Sequence, residues 1–275
     1  PQCFAEITAQ VCFTLAHVLW PSGPEYKPIV GFTTIEPAAE RPLPSGIGRG
    51  DVPQSGVPES TVRDVVAIHG FCAPQFSLVR KAFLRNFTER GEVGAAVAIC
   101  VDGELVVDLW GGWADGRRQR RWQRDTLVNV FSVGKAMAAL SLLLLIDRRE
   151  VDLDAPVSRY WPPFAAGGKA DVTPRMLLGH RAGLPAVRRT LPRDAMYDWE
   201  KMTRVLAEEI PWWPPNSAHG YHVNTFGFLI GEIVRRVSGQ SIGHFFRREI
   251  AAPVDADFHF GIGVDQEHRI AEYLF

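Results

Sequence analysis

The run AMAALSLLLLI, Ala136 to Ile146, is the feature that most constrains this chain. It is apolar on every side, so a helix formed there has no face to give to water and must be buried. It is also too short to span a bilayer, which takes about 20 apolar residues. The chain must therefore build a core around one central helix, expected over about Ser132 to Arg148. The composition permits that core: 275 residues, 46% hydrophobic and 22% charged. These are ordinary values for a globular protein. The length allows one large domain or two small ones.

Other elements can be read around that helix. Phe76, Val79, Phe83 and Phe87 recur at spacings of three and four, which predicts an amphipathic helix ahead of it. Gly94–Val101 and Glu104–Trp110 are β-rich runs joined by Asp102-Gly103, a strong hairpin signal, and Gly111-Gly112 closes the second strand. Asp152 and Asp154 are read as a turn and helix cap. Thr173 caps a short helix that has Pro174 at its first position. Further helices are expected at 199–208, 225–238 and 241–250, with Ser238-Gly239 ending the second. A helix, a hairpin and then many helices predict an α+β fold, with helices beside an antiparallel sheet.

Residues 1–70 read differently. They hold nine of the 20 prolines, scattered glycines and little periodicity. Pro37 to Pro58 reads as a linker or disordered segment, and Val11–Trp20 as one short apolar helix or strand. The expected organisation is a poorly ordered Pro/Gly-rich extension over 1–70 followed by a domain over 71–275.

Charge and cysteines narrow the function classes. The formal net charge is −1 with a pI near 6.8. That argues against a general nucleic-acid or anionic-membrane binder. The arginine-rich stretch Gly116–Arg124 is read as a solvated loop. Cys3, Cys12, Cys72 and Cys100 form no C-x-x-C pair and no zinc spacing. So few cysteines make no disulfide framework, which favours a reducing compartment. With no signal segment visible, the cytoplasm is the expected location. Gly46–Gly50 lies in a Pro-rich stretch with no strand before it, so it is not read as a nucleotide loop. There is no G-x-S-x-G elbow, which disfavours an α/β-hydrolase.

Two segments carry candidate chemistry. Ser132 and Lys135 are three apart at the start of the apolar helix, so they share a face. Ser132 would sit near free backbone N–H groups and the positive end of the helix dipole. Lys135 could take its proton if burial lowered the lysine pKa. On spacing alone a plain N-cap serine is the stronger reading. The second segment runs from Trp212-Trp213-Pro214-Pro215-Asn216 to His219-Gly220-Tyr221-His222-Val223-Asn224. Tyr221, just before a helix, could reach Ser132 and share its proton, or could be a packed tyrosine. His219 and His222 lack the third ligand of a zinc protease, so no metal and no cofactor is expected. His180 is read as structural.

Taken together these segments resemble the serine β-lactamase-related superfamily, which includes class C β-lactamases, DD-peptidases and family VIII carboxylesterases. Five pieces match in order: the hairpin ending Trp110-Gly111-Gly112, Asp125–Met137 around S-x-x-K, Arg149–Pro162, Val172–Pro185, and the Trp-Pro segment with Gly220–Gly239. Tyr221-His222-Val223 looks most like the esterase branch. The resemblance implies a β-lactamase/transpeptidase-like fold, an antiparallel sheet flanked by helices plus a mainly helical region. It implies Ser132 as the acylated nucleophile, Lys135 as the group that holds or lowers its proton, and Tyr221 as general base and then acid. It also implies that the Ser132 N–H supplies half of an oxyanion hole. Asn216 stands where the family usually has glycine, and Val223 where lactamases have a substrate-binding asparagine. The third family motif, on a late strand, has no counterpart between Val254 and Phe275, so the chain reads as a fragment lacking its C-terminal strands. The expected activity is ester hydrolysis through an acyl-enzyme. A β-lactamase or DD-peptidase, and a non-catalytic or inactive remnant, remain the alternatives. The expected partner is a small ester or amide, with no nucleic acid and no membrane span.

Overall fold

The computed structural model describes residues 66–274. The expectations for Val11–Trp20 and Pro37–Pro58 therefore lie outside the described residues. The described chain divides into two compact units, one holding the residues up to Asn129 and again from Ile270, the other Val130–Arg269.

The first unit is a three-stranded antiparallel sheet with one helix. Its elements are β1 (Ile68–Cys72), α1 (Ser77–Glu89), β2 (Gly94–Val101) and β3 (Glu104–Gly112), and the sheet order is β1-β3-β2. The Asp102-Gly103 turn forms as expected, with both residues at positive φ (51° and 82°). That backbone is the mirror-type turn whose twist matches a two-residue hairpin. Phe83 and Phe87 meet edge to face, their ring centroids 5.3 Å apart, and pack with Val79 and Phe76 against Val107, Leu109 and Ala95. The period of α1 and the alternation of β3 thus bury the same small core. β1 was not foreseen, and it begins at Ile68, before the division expected at residue 70. Its register is set by β3, with Ile68 opposite Gly111 and Cys72 opposite Val107. Gly70 is required in it: φ is +94°, and a Cβ there would lie 1.9 Å from the Asp108 carbonyl oxygen.

The arginine run belongs to this unit and is more structured than expected. Arg120 donates to the Ala114 and Ile270 carbonyls, Arg121 lies 3.6 Å over the Trp113 ring, and Arg124 pairs with Asp108.

The second unit is helical. It contains α2 (Val133–Asp147), α3 (Pro174–Leu178), α4 (Trp199–Glu208), α5 (Phe226–Ser238) and α6 (Ile242–Phe246), joined by loops and short 3-10 turns. α2 forms where its composition predicts, but it is buried on one face only: Ala138, Ser141, Leu142 and Leu145 are buried, while Leu143 is 45% exposed. Ala138, Leu142 and Leu145 from α2 meet Leu229, Ile230, Ile233 and Val234 from α5, with Trp161, Phe164 and Leu206 closing the core. A leucine as buried as Leu142 contributes roughly 1.5–3 kcal/mol. The caps follow their residues: Thr173 accepts from the Met176 N–H, Asp198 from Lys201 and Ser241 from His244. Gly239 ends α5 at φ 72°. Two local expectations change. Asp154 does not cap a helix but forms a two-bond ion pair with Arg175. The helix expected over 241–250 stops at Phe246 and widens into a π-turn over Arg247–Ala251. Pro253, which has no N–H to give back to the ladder, follows in a 3-10 turn.

Candidate active site

Ser132 stands immediately before α2, and Phe131 before it adopts φ +44°. A phenylalanine in that left-handed region is strained, and such strain gathers at sites the surrounding structure over-determines. Tight bonds hold the turn: the N–H of Val133 reaches the Val130 carbonyl, Gly134 the Phe131 carbonyl, and Lys135 the Ser132 carbonyl. One turn into α2, Lys135 donates from Nζ to Ser132 Oγ at 3.2 Å. Helical spacing therefore brings the serine and lysine together, as the S-x-x-K pattern predicted. The inner face of α2 goes to Ala138, Ser141, Leu142 and Leu145, which leaves Lys135 half-buried and Ser132 exposed.

Tyr221 joins them from a loop 89 positions on in the sequence. Lys135 Nζ lies 4.8 Å from the centroid of its ring. Burial pushes the Tyr221 phenol upward, but hydrogen bonds to Ser132 and Lys135 and the lysine charge outweigh it, so its pKa falls below the usual tyrosine value. Ser132 and Lys135 thus stabilise the phenolate relative to a tyrosine in water. Ser132, Lys135 and Tyr221 thus stand together at the start of α2. The Ser132 N–H donates to no other group among the described residues.

The loop carrying Tyr221 is tied to the segment after α3. Asn216 donates its N–H to the Arg181 carbonyl, Trp212 to Gly183, and Gly220 to His180. Asn216 has φ +67°. Asparagine tolerates that left-handed conformation better than most residues, so it serves where a glycine would. Gly220 is needed for close approach: a Cβ would come within 2.4 Å of the Trp213 ring. Val223, half-buried, follows Tyr221 by two residues and offers no side-chain amide.

The histidines gather here too. His180, at φ +57°, packs against the rings of Tyr221, His222 and Phe226. Burial, together with His222, His219 and Lys135, lowers its pKa to about 4. His222 is fully buried, and burial also lowers its pKa. Sequence reasoning placed His180 among structural residues and missed its contact with Tyr221. The only available signal was its place in the matching segment Val172–Pro185. Among the described residues no group of three His, Cys, Asp or Glu side chains is placed to hold a metal ion. No helix among them is long and apolar enough to cross a membrane.

Comparison with known proteins agrees with this geometry. The Beta-lactamase family model matches residues 80–274. An esterase/beta-lactamase, LipL, of Mycobacterium tuberculosis is 38% identical over 209 residues, covering 75% of this chain and 48% of that protein. Esterase EstB of Burkholderia gladioli is 31% identical over 189 residues, covering 62% of this chain and 48% of that protein. The crystal structure of a family VIII carboxylesterase superposes with a TM-score of 0.72 at 44% identity, over 76% of this chain and 57% of its own. The chain thus spans about half the length of the curated relatives it matches. The family match takes in Ser132, Lys135 and Tyr221 at once and the superposition covers the fold around them, so this chain is a member of the Beta-lactamase family, with the β-lactamase/transpeptidase-like fold and relatives in its esterase branch.

Proposed function

We propose that the chain is the nucleophile-bearing part of a serine hydrolase that cleaves small carboxylic esters through an acyl-enzyme on Ser132. The observation that carries this is Lys135 Nζ at 3.2 Å from Ser132 Oγ, with the Tyr221 ring 4.8 Å from the same Nζ and its phenol pKa lowered by both residues. In this reading Ser132 Oγ attacks the ester carbonyl carbon as its proton passes to the Tyr221 oxygen. The tetrahedral oxyanion collapses, the carbon–oxygen bond to the alcohol breaks, and Tyr221 returns the proton to the departing alkoxide. Water then attacks the acyl-serine by the same route in reverse, releasing the acid. Lys135, beside both residues, is placed to stabilise whichever oxygen carries the negative charge. The Ser132 N–H supplies one oxyanion donor; where such donors have been removed the loss is about 2.7–4 kcal/mol.

Esters are favoured over lactams because Val223 presents no amide to a lactam side chain, and because EstB and the family VIII carboxylesterase are esterases by name. A β-lactam substrate is the second reading, supported by the paired name of LipL and by a beta-lactamase of Escherichia coli at 26% identity. The test is pre-steady-state hydrolysis of p-nitrophenyl butyrate and of nitrocefin by wild type and Ser132→Ala. A nitrophenol burst of one equivalent, absent from Ser132→Ala, is expected with ester turnover ahead. Equal release by wild type and variant would refute the acyl-enzyme, and nitrocefin turnover ahead of ester would select the lactam reading.

A further inference from the structure

Tyr221 is 42% exposed, so its own packing does little to hold the phenol at Ser132. Its backbone does, and both flanking peptide N–H groups end on one residue. The Gly220 N–H donates to the His180 carbonyl and the His222 N–H to His180 Nδ1, each at 3.1 Å. The His180 ring lies 4.9 Å from the Tyr221 ring, centroid to centroid. A second imidazole ties down the same turn. His222 donates from Nδ1 to the Gly220 carbonyl at 2.5 Å and accepts the Leu184 N–H on Nε2 at 3.0 Å. The two networks fix both tautomers: His222 carries its proton on Nδ1 and His180 on Nε2, and each needs one nitrogen free to accept.

We propose that His180 is a positioning residue, whose neutral ring holds Tyr221 against Ser132 and whose protonation switches the site off in acid. The inference rests on the hydrolase reading above. The groups facing His180 are Lys135 from α2, and His219, Tyr221 and His222 from the loop before α5; α5 itself contributes the apolar ring of Phe226. A proton on Nδ1 removes the acceptor of the His222 N–H. It also sets a second positive charge beside Lys135 and against the Tyr221 ring. The left-handed backbone of His180 restricts which side chains could serve at this position. Asparagine can serve, since it tolerates that conformation and carries an uncharged acceptor that does not titrate.

The test is the rate of Ser132 labelling by a fluorophosphonate, followed by intact mass in the full protein from pH 3.5 to 8, with near-UV circular dichroism at each pH. His180→Ala is expected to lose at least tenfold at pH 7, while His180→Asn stays within about threefold of wild type. Between pH 6 and 3.5 the folded wild type is expected to lose about fourfold more than His180→Asn, the size of a one-proton titration near pH 4. Labelled wild type and variants with superimposable pH profiles would overturn the positioning role alone. A folded wild type that is never labelled would overturn the hydrolase reading and this inference with it.

Discussion

Two lysines of the helical unit make opposite uses of the same ammonium group. Lys169 is fully buried, and burial lowers its pKa to about 8 against the opposing charge of Glu209. Its Nζ donates to the carbonyls of Ala166, Ala207 and Glu209. Those three bonds exhaust its donors on backbone oxygens that cannot exchange a proton, so Lys169 fastens the Ala166–Lys169 turn to the end of α4. Lys135 is half-buried, and its Nζ meets Ser132 Oγ at 3.2 Å and the Tyr221 ring at 4.8 Å. A displaced pKa alone would have selected Lys169 as the functional lysine. The chemistry of the partners selects Lys135, because only its neighbours can give up and regain a proton.

Removing each lysine is expected to separate the two roles. Lys135→Ala should lower the ester-hydrolysis rate by about 10³-fold, within the range general acid–base groups supply, and change stability by less than about 1 kcal/mol. Steady-state kinetics beside a urea melt checks both numbers. Tyr221→Phe should lose about 10²-fold in kcat with little change in KM, since it removes a proton acceptor and not binding surface. Lys169→Met should do the reverse: about 2–4 kcal/mol of stability lost through three unpaired buried carbonyls, with kcat per folded molecule unchanged. A Lys169→Met enzyme that is stable but inactive would break the comparison.

Acid should find the Tyr221 side of the unit first. His180 has its pKa lowered to about 4 in the fold, against 6.5 as the ordinary value. Between those limits the unfolded chain binds more protons than the folded one, so stability rises with pH across the window. It is full above about 6.5 and lost as pH falls toward 4. Urea melts at pH 7 and 4.5 should show this loss in wild type and a smaller one in His180→Asn. The smallest effect is expected at Asn216, where Asn216→Gly should shift stability by a few tenths of a kcal/mol and leave kcat unchanged.

What the sequence reveals follows how far apart the interacting residues lie. Asp102-Gly103, Thr173-Pro174 and Ser132 with Lys135 act over one turn, and each could be read directly. α2 could be read because ten of the eleven residues from Ala136 to Ile146 are apolar, although the run did not show that Leu143 would face outward. β1 could not: IHGFC has a glycine in its middle and takes its register from β3 some 40 positions later. Lys169 finds the end of α4 from a similar distance, and no local pattern marks that. Tyr221 was identified through the resemblance, since its approach to Ser132 crosses most of the helical unit. His180 was seen only as a structural histidine for the same reason, its partners lying about 40 residues away.

The most direct test of the central claim, that Lys135 and Tyr221 activate Ser132, is intact-mass labelling by a fluorophosphonate at pH 7. It should be run on wild type, Ser132→Ala, Lys135→Ala and Lys169→Met, each shown to be folded. A single adduct on wild type and on Lys169→Met, none on Ser132→Ala and a rate lowered about 10³-fold in Lys135→Ala is the predicted result. Equal labelling of wild type and Lys135→Ala, or an adduct that persists in Ser132→Ala, would contradict it.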